Sequence, residues 1–224
     1  LGELENWAKN DVEKYNKFYK EFGTMIKSGL NSDFSNRDRL SKLLRFQTSK
    51  SDELKSLDQY IENADNEKKK IYYLTSENLE TAKRNPNMEY FNKNDIEVIF
   101  LIDPIDSFVI PQLYKFEEFE LVSIDREELN DETDNKDESE KEKTKNLIGA
   151  IKEILGDKVA DVKESNRLVG SPCTLVAGKE GMDVHTERMM KMMDSNFTGS
   201  KKVFEVNTNH KILKNMSEYF EKNG

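Results

Sequence analysis

The chain has 224 residues, of which 35% are hydrophobic and 35% charged, and its net charge is −9. That composition fits small cores under heavily solvated helices, and the acidic balance argues against a general nucleic-acid binder. No apolar run is long enough to cross a bilayer, no signal peptide is visible, and the one cysteine, Cys173, excludes an internal disulfide framework and suits a reducing, cytoplasmic compartment.

The chain opens on Leu1 in a stretch that reads as polar helix, and is expected to be cut from something longer. From Asp11 to Leu30, Tyr15, Phe18, Tyr19, Phe22, Met25 and Ile26 recur at three- and four-residue spacings. This is the pattern of a long amphipathic helix whose aromatic stripe packs on its neighbours, with Gly29 as its stop. Asn36 to Leu44 is a second helix, capped by Ser35 or Asn36. Leu57 to Ala64 reads as helix and Lys70 to Leu74 as a short strand. Ser76 caps a helix that must end by Asn85, because Pro86 follows, and Met88 to Asn92 adds a helical turn or two. The run Ile96 to Ile102 is β-rich and mostly apolar, hence a strand buried on both faces. Ser107 to Phe116 is expected as helix despite Pro111, and Phe119 to Ile124 as strand. Strands alternating with helices indicate an α/β layer with some parallel pairing.

Between Asp125 and Lys145 ten acidic side chains face five basic ones and almost nothing is apolar. The stretch reads as an acidic linker, disordered in preference to helical, and as a domain boundary. Beyond it, Leu147, Ile148, Ile151, Ile154 and Leu155 mark a helix stopped at Gly156. Lys158 to Lys163 alternates as a half-buried strand, and Arg167 to Val169 and Cys173 to Ala177 are short extended pieces. Asp183 to Met193 is a methionine-rich helix, Val203 to Val206 a strand, and Asn209 caps a final helix. The expected fold is α/β and α+β: over 1–124 a helical segment with a small α/β/α layer, a linker over 125–145, and a second mixed α+β domain over 146–224.

Little in the chain points to catalysis. There is no glycine-rich phosphate loop or dinucleotide fingerprint, and His185 and His210 lie far apart without ligand-spaced partners, so no metal site is expected. Nothing beside Cys173 in sequence would lower its pKa, and a buried, inert thiol is expected. Asp103 and Asp106 follow the central strand and could form a carboxylate pair at an active-site edge. The plainer reading makes Asp106 a helix cap and Asp103 a turn residue.

Several ordered segments resemble the heat-shock protein 90 family: Phe22 to Leu30, Asn36-Arg37 followed by Leu43-Leu44-Arg45-Phe46, Ser56 to Tyr60 followed by Ile71 to Leu74, and Ile96 to Asp106. Further on, Ile154 to Val159, Ser165 to Leu168 with Ser171-Pro172, Glu187 to Met190, and Phe204 to Asn207 match later family segments. Placed on the family, the chain is similar to the end of the middle domain and most of the C-terminal domain of a bacterial member, although the acidic linker is longer than a bacterial pattern suggests. The resemblance implies a stress-response chaperone, with ATP and magnesium bound and hydrolysed outside this chain, so that this stretch is not an enzyme by itself. It implies client proteins and co-chaperones as partners, neither nucleic acid nor membrane, and a homodimer in the full-length protein that would be weak or absent here. Client contacts would fall on two apolar surfaces. One carries Ser107, Phe108 and Pro111, where family members often have an acidic residue and a tryptophan in place of Ser107 and Phe108. The other is the helix with Met189, Met190, Met192 and Met193. Four methionines within five residues cover more of a helix than one buried stripe needs, and methionine adapts to many partner shapes. A scaffold that docks folded co-chaperones through charged faces is the alternative.

Overall fold

The computed structural model describes residues 1–65, 67–126, 129, 137–178, 181–182 and 184–223. The chain divides into two compact units, Leu1–Lys83 with Ile96–Ser123, and Arg84–Asp95 with Ile124–Gly224.

The first unit opens with α1 (Gly2–Asn10) and α2 (Val12–Ser32), separated by Asp11, whose side chain caps α2 by accepting the Lys14 N–H. One stripe of α2 buries Tyr15, Tyr19, Ile26 and Leu30. Gly29 does not stop this helix, because the Asp33 N–H still bonds the Gly29 carbonyl at 2.8 Å. Its bare Cα instead lets α3 (Arg37–Leu43) approach: a Cβ there would lie 3.1 Å from Leu40 Cδ1. Asn36 holds the N-cap position of α3, as expected, although its side chain accepts no helix N–H; Asp33 caps the 3-10 turn before it by accepting the Asn36 N–H.

A six-stranded sheet follows, built from β1 (Phe46–Thr48), β2 (Ser51–Lys55), β3 (Lys70–Thr75), β4 (Ile99–Leu101), β5 (Lys115–Phe116) and β6 (Phe119–Ser123) in the order β2-β1-β4-β3-β6-β5. As expected, β4 is buried on both faces, and β3 pairs in parallel with both β4 and β6. The hairpin β1–β2 was not foreseen. Helix α4 (Leu57–Ile61) is shorter than predicted and opens on a capping box between Ser56 and Gln59. Ser76 caps nothing: its N–H goes to the Leu101 carbonyl, prolonging the β3–β4 ladder, and Asn78 caps α5 (Leu79–Lys83) through the Thr81 N–H. The predicted helix from Ser107 to Phe116 is only α7 (Asp106–Val109) and a hydrogen-bonded turn to Leu113, followed by β5. Pro111 has no N–H with which to continue the ladder. The core joins α2, α3, α4, β3 and β4 through Tyr15, Leu30, Leu43, Leu57, Ile71 and Leu101.

In the second unit, α6 (Glu89–Lys93) is fastened by its first residue. The Glu89 carboxylate accepts the main-chain N–H groups of Val169, Gly170 and Ser171 and the Ser171 hydroxyl. Beside it, the Asn87 amide donates to the buried Asp125 carboxylate at 2.6 Å and accepts from the Thr174 hydroxyl. Helix α8 (Glu138–Leu155) starts well inside the stretch expected as linker, capped by Asp137. Of that stretch, 127, 128 and 130–136 lie outside the described residues. Gly156, at φ +53°, ends α8 as predicted. A three-stranded sheet of β7 (Asp161–Glu164), β9 (Lys202–Val206) and β8 (Cys173–Ala177), in that order, packs with α8 and α10 (Lys211–Asn223) around Leu147, Ile151, Val162, Val206 and Leu213. Between β8 and β9 runs α9 (Val184–Met193). Arg167 to Val169 is not strand. Arg167 is buried, ion-paired to Glu205 at 2.9 Å and bonded to the Ile124 carbonyl. Cys173 is only partly buried against the core. Among the described residues, no helix is long and apolar enough to cross a membrane.

Candidate functional site

The turn after β4 is held by an ion pair that sequence reasoning missed. Lys27, buried on α2, places Nζ 2.7 Å from Asp106 Oδ1 and 3.4 Å from Asp103 Oδ2. Asp106 also accepts the Asp103 N–H, and Asp103 accepts the Ile105 N–H and the Thr24 hydroxyl. Burial pushes the Asp106 carboxyl above the usual range, with Lys27 acting against it. A cleft of about 730 Å³ does lie beside this pair, lined among others by Tyr19, Phe46 and Phe100. The carboxylate oxygens are nevertheless engaged with Lys27, Thr24 and the main chain, so the pair acts as a clamp on the turn rather than as free acid and base. A lysine within an otherwise apolar helix stripe was the signal that could have revealed it.

The clamp fixes which side of α7 faces out. Asp106, Ser107 and Val109 turn inward and Phe108 outward. Ser107 is completely buried and leaves the candidate surface, because no external partner can reach its side chain; Phe108 is 40% exposed and Pro111 is exposed. Tyr114, 70% exposed and not picked out from sequence, follows directly after that turn, just before β5.

On α9 the organising residue is Glu187, which is buried. Its Oε1 accepts the Ser200 N–H at 3.0 Å, the Ser200 hydroxyl, and Lys202 Nζ at 2.6 Å. Burial alone would raise this carboxyl, but the bonds from Lys202 and Ser200 hold it below the usual range. The loop reaches the carboxylate through Gly199, whose φ of +83° a side chain would strain. At about 100° per residue, Met189, Met192 and Met193 fall on the side of the helix away from Glu187, and Met190 on its flank. Met192 is 55% and Met193 81% exposed, while Met189 and Met190 are half-buried.

His210 caps α10, its Nδ1 accepting the Ile212 N–H at 3.2 Å, in place of the Asn209 cap that was expected. The His185 side chain lies outside the described part of the structure. Among the described residues, no group of three or more His, Cys, Asp and Glu side chains is placed to hold a metal ion.

The family model described as Hsp90 protein matches residues 3–224. Relatives include proteins named Chaperone protein HtpG from Chlorobaculum tepidum, 43% identical over 224 residues, and from Chlorobium phaeovibrioides, 43% identical over 223. A third, from Treponema denticola, is 38% identical over 232 residues. These matches cover 97–99% of this chain but only 36% of each relative. With ordered motifs, mixed α/β units and near-complete coverage in agreement, this chain belongs to the Hsp90 family.

Proposed function

We propose that this chain is the client-holding part of an ATP-driven chaperone, binding partly unfolded polypeptides through the methionine face of α9 and through Phe108, Pro111 and Tyr114 in the other unit. The observation that carries the reading is the exposure of Met192 and Met193 on a helix whose opposite side is anchored through Glu187. Burying such flexible, polarizable side chains against a partner is favourable without demanding one partner shape. In this reading ATP and magnesium act elsewhere in a longer, dimeric protein, and co-chaperones are further partners.

The test replaces Met189, Met190, Met192 and Met193 together by Gln and measures binding of a permanently unfolded probe, reduced and carboxymethylated α-lactalbumin. The expected result is an affinity loss of about tenfold or more with an unchanged circular dichroism spectrum. Unchanged affinity would overturn the α9 surface. Binding that vanishes at high salt would favour charge-led docking of folded partners instead, since apolar capture persists when charges are screened.

A further inference from the structure

We propose that Glu187 is the positioning residue of the α9 surface: its part-buried bond to Lys202 ties the helix to the start of β9 and thereby sets which methionines face a partner. This rests on the reading of α9 as a client-contacting helix, and it adds a residue that need not touch the client.

The geometry is specific. Glu187 is the only α9 acid between Val184 and Met193, and its Oε1 accepts three bonds from the segment running into β9. Lys202 lies on β9, the central strand of its sheet, paired with β7 on one side and β8 on the other. The anchor is therefore among the most constrained main chain in the unit. The methionine side chains themselves offer little directional restraint, being unbranched and adaptable. Released from Lys202, α9 could rotate to bury Met192 and Met193 and lose its outward apolar face. Hydrophobic packing alone would favour that rotation.

The experiment compares the purified protein with Glu187→Ala, Glu187→Gln and the exchanged pair Glu187→Lys with Lys202→Glu. Two readouts are taken: affinity for carboxymethylated α-lactalbumin, and the rate at which each α9 methionine is oxidised by hydrogen peroxide, followed by peptide mass. In the parent, Met192 and Met193 should oxidise faster than Met189 and Met190. Glu187→Ala should level these rates and weaken binding about tenfold. Glu187→Gln, which keeps an acceptor for Ser200 but loses the charge facing Lys202, should do so less, and the exchanged pair, which renews the charge contact but leaves the Ser200 N–H without its acceptor, should restore both in part. An unchanged oxidation order in Glu187→Ala overturns the proposal, whether or not binding changes, because a carboxylate that met the client directly would weaken binding without turning the helix. If the fourfold methionine variant keeps its affinity, the client reading fails, and the oxidation order still decides the positioning role.

Discussion

Replacing Lys27 by Met isolates the energetics of the clamp under Phe108. The two side chains are only 7% and 1% exposed and stand 2.7 Å apart. With an effective dielectric of about 20, that separation corresponds to an attraction of about 6 kcal/mol, part of which the desolvation of both ions cancels. Removing the cation leaves Asp106 buried, though still bonded to the Asp103 N–H and able to take up a proton, so the loss should be about 3 kcal/mol, toward the low end for a broken buried pair. Lys27→Met with Asp106→Asn removes both charges and keeps an acceptor for that N–H, and should cost only about 1–2 kcal/mol. Trp7, the one tryptophan in the sequence, sits in the first unit against its core, so urea unfolding followed by its fluorescence reports on the right region. A double variant as unstable as the sum of the singles would refute the reasoning. So would a Lys27→Met cost below about 0.5 kcal/mol, the level of an exposed pair. The pH dependence has a definite sign. Native Asp106 holds its proton more tightly than the unfolded chain does, so from this group stability falls as pH rises through and above the carboxylate range, and more steeply once Lys27 is gone.

Gly149 inside α8 and Gly156 just past its end should respond oppositely to alanine in thermal unfolding. Gly149→Ala, where a Cβ meets nothing, should stabilise by up to about 1 kcal/mol, and Gly156→Ala, at φ +53°, should destabilise by about as much; equal effects would contradict the helix end at Leu155. Burial opposes ionisation of Glu89, but the Ser171 hydroxyl and three main-chain N–H groups outweigh it and hold its carboxyl below the ordinary value of 4.5. Its stabilising contribution is therefore complete above that value and disappears as pH falls below it. A urea midpoint series should show this acid slope flattened in Glu89→Gln, and an unaltered slope would remove Glu89 as the fastening of α6.

Where a stretch carried its own pattern, the elements were legible in advance. The stripe of α2, the apolar strand around Ile99, the strands β3 and β6, and the Gly156 stop all follow from periodicity and local backbone chemistry, which neighbouring residues suffice to express. The methionine cluster was legible for the same reason, because consecutive residues cannot share one helix face. The failures lie where a distant partner decides. Phe46–Thr48 is too short to show a period and becomes strand by pairing with Phe100 and Ile99 from a remote part of the chain. Ser76 was drawn into a sheet ladder by Leu101, and Gly29 became a contact surface for Leu40 rather than an end. Of the surfaces themselves, the sequence determined that Phe108 and the four methionines were available. Tertiary structure alone decided which of them face outward, because that depends on how α7 and α9 pack within their own units. Ion pairs such as Lys27–Asp106 and Lys202–Glu187 are set by the packing of separate elements, and no local pattern encodes them.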